Sequence, residues 1–562
     1  MIQRVARLLS SEARTLERAV SILAGAALLS SLLALLRDRL LAHVFGAGLE
    51  LDLYYAAFRI PDFLFVAIGA LVSVYVLIPE LTKRDREGEK EYIDTIVVGF
   101  SALVFSTSIL AALCAPIILA FLFPHFSSVH MDTLVTLTRI MLLQPILLGF
   151  SNILAAITQV RARYGLYALS PILYNVGIIL GVIVLYPVWG IAGLAWGVVV
   201  GALLHLAIQV PSIISDGFFR RIPRFLAPAA LWKTMKISVP RAVTLSLNQI
   251  TLVGLTVLAG GLAPGSIAVL MFAFNLHSVP LAVIGASYSV AAFPSLAEAF
   301  SSGKREEFVH QVAMASRHIL FWSFPAIGLI VVLRAHIVRT VLGSGAFDWT
   351  DTRLTAAAFA IFSLALVAQG LQLLLVRAYY AAGQTLVPFC TALGGAIATL
   401  FFGVMFLRVF DDSATLQLIE MVMRVSELEG TAILALALAY SLVSILTVVT
   451  LALYFEFSFG TYLQRIRRTF FESIAAAIVG ALGAYVVLVF LGPLTLASTL
   501  LSIFFKGFAA GVFGMTAAGA LYAFIGNQEF GETVTALREK LWRTFRPEEN
   551  ATIVASAEEV TP

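Results

Sequence analysis

The triplet Arg37-Asp38-Arg39 interrupts an otherwise apolar stretch, and Asp52, Arg59 and Asp62 follow it closely. A charge at the centre of a bilayer costs about 2.5–3.5 kcal/mol even on the lenient insertion scale, so charges inside apolar segments call for a reason. Arg59 and Asp62 are three residues apart, which places them on one helical face and lets them pair. Asp52 falls at the start of the same helix, where a carboxylate suits the positive end of the dipole. A guanidinium is a planar fork that can donate two hydrogen bonds to phosphate oxygens. Together these residues make a cationic patch, tempered by carboxylates, that could face a water-filled cavity and hold a pyrophosphate group. The same charges fit a second reading equally well, as buried ion pairs that lock the first two helices together. Arg241, just after Pro240, is the best candidate for a phosphate contact in the later part of the chain.

Other polar residues in apolar segments suggest less. Gln144, Asn152, Asn175, Asn248, Gln249, Gln369 and Gln372 read as interhelical hydrogen-bonding groups. His277 reads as a core or cavity histidine. Arg377 and Lys506 lie near the ends of apolar runs, where long side chains reach the interface. There is no Gly-rich phosphate loop with Lys and Ser/Thr, and no paired-histidine metal motif. Gly343-Ser344-Gly345 reads as a turn, and Asp411-Asp412 and His125 are too isolated to form a catalytic cluster. A transporter is therefore expected rather than an enzyme, with no catalytic residues, no cofactor and no metal site. Cys114 and Cys390 both sit in apolar runs and read as small core residues rather than a disulfide. No basic stripe interleaved with aromatics points to nucleic acid.

The elements that must position these residues follow from composition. Hydrophobic residues make up 60% of the chain and charged ones 12%, against about 25% charged in ordinary soluble domains; mean hydropathy is +0.95. Continuous apolar runs of roughly 20 residues recur along nearly the whole length, each enough to cross a ~30 Å hydrocarbon layer as a helix. A β-barrel would alternate apolar and polar residues instead. The expected fold is an all-α polytopic membrane protein with about 14 transmembrane helices. Basic residues gather in alternate connections: Lys83 to Lys90, Arg161 and Arg163, Arg220 to Lys233, Lys304 and Arg305, Arg465 to Arg468, and the tail from Arg538 to Arg546. The positive-inside rule then places both termini in the cytoplasm. Met1 to Arg18 carries four arginines and no apolar core with a cleavage site, so it reads as a basic cytoplasmic segment.

A repeat appears when the spans are aligned. Ala57-Phe58-Arg59, Ile68-Gly69-Ala70, Ser73-Val74 and Pro79 match Ala273-Phe274-Asn275, Ile284-Gly285-Ala286, Ser289-Val290 and Pro294, offset by 216 residues with a slip of one at the proline. Val160-Arg161-Ala162 and Val376-Arg377-Ala378 share that offset. Two pairs at one offset indicate a duplicated six-helix unit. The expected organisation is a basic segment at 1–18, an N-lobe at 19–213, a basic linker at 214–235 and a C-lobe at 236–456. A basic linker and final helix pair at 457–526 and a cytoplasmic tail at 527–562 complete it. Repeats of even span number keep their orientation, so the two lobes should be parallel, with substrate held between them.

At Arg37-Asp38, Phe45-Gly46-Ala47-Gly48, Asp52 and Arg59-x-Pro61 the sequence resembles the MurJ/MviN family of lipid II flippases. The likeness continues through Pro294-Ser295-Leu296, Phe300-Ser301-Ser302-Gly303, Leu342 to Phe347, Tyr379-Tyr380, Thr385 and Pro388. The resemblance implies fourteen helices in two lobes around a central cationic cavity. It also implies flipping of an undecaprenyl-pyrophosphate-linked peptidoglycan precursor across the bacterial cytoplasmic membrane. Carried over by position, Arg37, Asp38 and Asp52 match polar cavity residues of that family. Three positions depart from it: Ser31 and Phe65 stand where the family has arginines, and Phe274-Asn275 replaces an Asp-Arg pair. Asn275 is kept as a substrate-facing position. The expected partners are a lipid-linked glycan, the lipid bilayer and cell-wall synthesis enzymes, with no nucleic acid. The alternatives are export of another lipid-linked glycan or a drug, and a transport-inactive scaffold for cell-wall synthesis.

Overall fold

The computed structural model describes residues 16–219, 221–410, 414–494 and 498–545. Most of the basic N-terminal segment, Asp411-Asp412 and the end of the tail lie outside the described residues. The described chain is helical and shows no strand. Twelve helices are long and apolar enough to cross a membrane, or thirteen when the pair Trp349–Ser363 and Leu366–Ala381, bent by 44°, counts as one span. The expectation of about 14 also counts Leu16–Phe45, a 30-residue helix that carries the Arg37-Asp38-Arg39 triplet near its end. Its apolar run is long enough to span, and the helix continues through the triplet, so these charges sit within a helix rather than in a loop.

The chain divides into two compact units, 1–279 with 337–365 and 385–447, and 280–336 with 366–384 and 448–562. In the first unit the Tyr164–Leu180 and Ile191–Ala207 helices approach through glycines. A Cβ on Gly177 would come within 2.1 Å of the Gly201 Cα, and one on Gly201 would lie 2.5 Å from the Tyr174 carbonyl oxygen. Small residues allow this approach, and in lipid such packing is what holds helices together. It clamps the stretch of helix that carries Tyr174 and Asn175. The Leu49–Leu81 span is not a regular helix. It breaks at Phe58 between Leu49–Ala57 and Arg59–Gly69, then passes through a 3-10 turn at Ala70–Val72. Beneath it lies a cluster built from Ile68, Leu77, Tyr92, Ile93, Phe100 and Ile153.

In the second unit Tyr462–Leu491 and Leu500–Phe524 pair closely, with a Cβ on Gly514 only 2.6 Å from the Gly480 carbonyl oxygen. The Tyr522 ring packs tilted against Phe321, with centroids 4.6 Å apart, and its hydroxyl donates to the Phe321 carbonyl at 3.0 Å. The helix Gln528–Phe545 carries Glu529 in its first turn, a buried carboxylate paired with Arg317 at 3.1 Å. Lys506, expected near a span end, donates to the carbonyls of Gly492 and Pro493.

Candidate functional site

A cavity of about 400 Å³ opens in the first unit. Its wall includes Arg37 from Leu16–Phe45, Tyr55, Arg59 and Asp62 from the Leu49–Leu81 span, Gln144 from Leu143–Val160 and Asn275 from Ser266–Leu281. With Tyr54, Tyr174 and Gln249 also on the wall, polar groups from six chain segments reach one space, although the sequence spreads them over more than 200 residues.

The Arg37 group is built like a clamp. Its Nε and Nη2 donate to Asp38 Oδ1 at 3.0 and 2.8 Å, and its Nη1 donates to Asn175 Oδ1 at 3.2 Å. Asn275 Nδ2 donates to the other Asp38 oxygen at 3.0 Å. Asn175 in turn donates to Ser30 Oγ and the Pro171 carbonyl. Asp38 is nearly sealed, with its side chain 5% exposed, while Arg37 is 20% exposed. The carboxylate therefore orients the guanidinium, and Arg37 is the partner that meets the cavity.

The Arg59 group is looser. Arg59 Nε donates to the Tyr55 carbonyl one turn earlier at 3.1 Å. Its Nη2 lies 3.9 Å from Asp62 Oδ2, an ion pair beyond hydrogen-bond length. Gln144 Nε2 donates to Asp62 Oδ1 at 3.2 Å. Arg59 Nη1, the Tyr55 hydroxyl and Gln144 Oε1 are buried with no hydrogen-bond partner among the described residues. Buried polar groups are almost always paired, so three orphans on one cavity wall mark a place where a ligand or water completes the bonding.

Asp52 stands elsewhere. It is not on the cavity wall; its Oδ2 and Oδ1 accept from the backbone N–H groups of Gly265 and Ala268 at 2.6 and 2.8 Å. These are the orphan donors at the start of Ser266–Leu281, and a carboxylate there satisfies both bonding and dipole. It lies in the first turn of its own helix as expected, but it caps another. Arg39 does the opposite at a helix end, donating to the Thr340 and Val341 carbonyls that close Arg305–Val341. Arg241 lies on Pro228–Gly260, and its side chain falls outside the described residues. Of the family-departure positions, Ser31 turns its hydroxyl onto the Ala27 carbonyl and Phe65 lines the cavity.

The sequence reading did not single out Tyr55, and it gave Gln144 and Asn175 only a bonding role. The signal was available: Tyr55 precedes Arg59 by one helical turn on the same face. Gln144 and Asn175 do bond between helices, but what they bond is the charged pair and the clamp.

Residues 41–505 match the family model "Lipid II flippase MurJ". The probable lipid II flippase MurJ of Rhizobium tropici is 28% identical over 406 residues, 68% of this chain and 74% of that protein. The lipid II flippase MurJ of Burkholderia cenocepacia is 26% identical over 399 residues, 68% of this chain and 76% of its own. The fold resembles a lipid II flippase MurJ solved in an inward closed conformation, with a TM-score of 0.72 and 21% identity, covering 90% of this chain and 99% of that one. It also resembles an inward-facing multidrug resistance MATE family transporter, with a TM-score of 0.61 and 12% identity over 78% of this chain and 94% of the other. A family model matched across most of the chain, with its N-terminal boundary inside the helix that carries the Arg37 clamp, places this protein in the lipid II flippase MurJ family.

Proposed function

We propose that this chain moves a polyprenyl-pyrophosphate-linked cell-wall precursor of the lipid II type across the bacterial cytoplasmic membrane, by alternating access between two six-helix lobes. The family supports the substrate class. The observation that carries the reading is the cavity wall itself, where the buried donors Arg59 Nη1 and Tyr55 hydroxyl have no acceptor among the described residues. Phosphate oxygens supply acceptors of the right kind, and charge-assisted bonds to them are the strong ones. Because Ser31, Phe65 and Asn275 replace family arginines, the grip on a pyrophosphate rests on Arg37 and Arg59. Both termini are cytoplasmic in this reading, from the Lys/Arg asymmetry of the connections. Cell-wall synthesis enzymes would meet it on the membrane.

The test is depletion and rescue. In a bacterium whose own flippase is switched off, expressing this chain should restore growth and the accessibility of lipid II to an external probe. Normal membrane levels of the protein with no lipid II outside would overturn the reading. Tyr54, Tyr55, Phe58, Tyr174 and Phe274 also ring the cavity beside Asp62, 29% exposed. An aromatic wall with a carboxylate suits an organic cation. Export of a cationic dye without rescue would favour that second reading.

A further inference from the structure

The basic linker between the two expected lobes plays no part in the cavity, yet it gathers charge and exposed apolar side chains in one place. From Arg221 to Lys236 it carries four cations, Arg221, Arg224, Lys233 and Lys236, and no carboxylate. All four side chains are exposed. Interleaved with them are Ile222, Phe225 and Trp232, exposed at 87, 50 and 70%. The segment is held in place, because Thr95 Oγ1 accepts from the backbone N–H groups of Leu226 and Ala227 at 3.3 and 3.1 Å. It ends where the Leu49–Leu81 span stops and Arg86–Leu122 begins, since Lys233 pairs with Glu80 at 3.2 Å. Glu80 also faces Lys83 and Arg84, so one carboxylate meets three cations and leaves positive charge over.

Directly beneath lies a pocket of about 370 Å³. One wall is a face of Arg86–Leu122 formed by Gly99, Ala102, Leu103 and Ser106; the facing wall is Leu231, Thr234 and Met235 of the linker's own helix. Gly99 lets the walls meet, since a Cβ there would fall 2.4 Å from Leu231 Cδ2. The two hydroxyls on the walls are already used: Thr234 bonds Tyr92 and the Ala230 carbonyl, and Ser106 bonds the Leu103 carbonyl. A pocket without free polar partners has no use for water and suits hydrocarbon.

We propose that this is a binding site for an anionic phospholipid, with its headgroup on the Arg221–Lys236 segment and an acyl chain in the pocket below. Exposed tryptophan and clustered cations at a span end, with an apolar slot running inward, reproduce the polarity of such a lipid from surface to interior. The site is separate from the cavity and stands whether or not the transport reading does.

The test uses the full chain purified in a neutral detergent, with bound lipid counted by native mass spectrometry. Phosphatidylglycerol should be retained roughly tenfold better than phosphatidylcholine of the same chain length, an advantage that two well-placed cations can supply. The triple variant Arg224→Gln, Lys233→Gln, Lys236→Gln should lose that preference. Ser106→Phe, an exposed position on the pocket wall, should lower retention of both lipids. Equal retention of the two lipids by the unaltered protein would overturn the proposal, as would unchanged retention by a folded Ser106→Phe protein. Displacement of phosphatidylglycerol by an equal amount of polyprenyl phosphate would overturn it too, by naming a different occupant. If Ser106→Phe fails to fold, the triple variant, which alters only exposed side chains, decides the matter through the loss or survival of the preference.

Discussion

Two spans carry the same words 216 residues apart and have opposite chemistry. Where the earlier one has Arg59 and Asp62, the later one has Asn275 and Ser278. Their backbones nevertheless depart from regular helix at the matching place. Ile68-Gly69 leads into the 3-10 turn Ala70–Val72, and Ile284-Gly285 lies within a π-type turn at Ala282–Ala286. Gly285 explains part of this, because a Cβ there would come within 2.7 Å of the Gly370 Cα. Close helix approach constrains the small residues, while side chains that face a cavity are free to change. The cavity wall therefore has one charged side and one neutral side, joined where Asn275 bonds Asp38.

The largest effect is expected from Arg37→Ala, on the charged side of the wall. It strips a buried carboxylate of its cation and leaves Asp38 with Asn275 alone, a loss of about 3–5 kcal/mol. The protein should melt earlier and fall in the membrane fraction; unchanged levels and melting would show that Asn275 suffices. Arg59→Ala should act on transport instead. Asp62 keeps Gln144 and is 29% exposed, so it is not stranded, and expression should hold. Removing a phosphate contact worth about 1.5–3 kcal/mol should cut precursor export by roughly 10- to 150-fold. Adding Asp62→Ala should not restore export. If the double variant instead recovers a protein that Arg59→Ala loses, the pair is structural.

A smaller effect is expected from Asp52→Ala, which unsaddles two backbone donors at the start of the later span. About 1–2 kcal/mol of stability should go, in the range of a lost helix cap. Asp52→Asn, which keeps one acceptor, should cost less in the same melting assay. If both variants melt alike, the second backbone bond contributes nothing. The mildest change is Asn275→Arg, which would give the later span the cation its counterpart has. Precursor export at limiting expression should rise a few-fold, less than the roughly tenfold of a full charge-assisted contact of about 1.5 kcal/mol, because Asp38 loses a donor in exchange. A fall would mean that Asn275 is needed as Asp38's donor more than a cation is needed on that side.

Much of this molecule was legible before any coordinates. Apolar runs of spanning length dictate membrane helices because no other structure satisfies the backbone within lipid as a single segment. Arg59 and Asp62 were paired by their spacing alone, since a helix brings residues three apart onto one face. The repeated words, and the family, were written in the order of residues.

What the sequence could not decide was which charges meet the cavity and which serve the scaffold. Asp38 and Asp52 look like Asp62 in a list of intramembrane acids. Only packing shows Asp38 sealed behind Arg37 and Asn275, and Asp52 turned onto the backbone of a helix more than 200 residues away. Nor could periodicity show that Tyr55, Arg59 and Gln144 would keep unpaired atoms on one wall. The physical reason is range. Spacing along a helix reports neighbours within a turn or two, whereas a polar atom's partner in a membrane protein is supplied by another helix, and its identity is settled only when the helices pack.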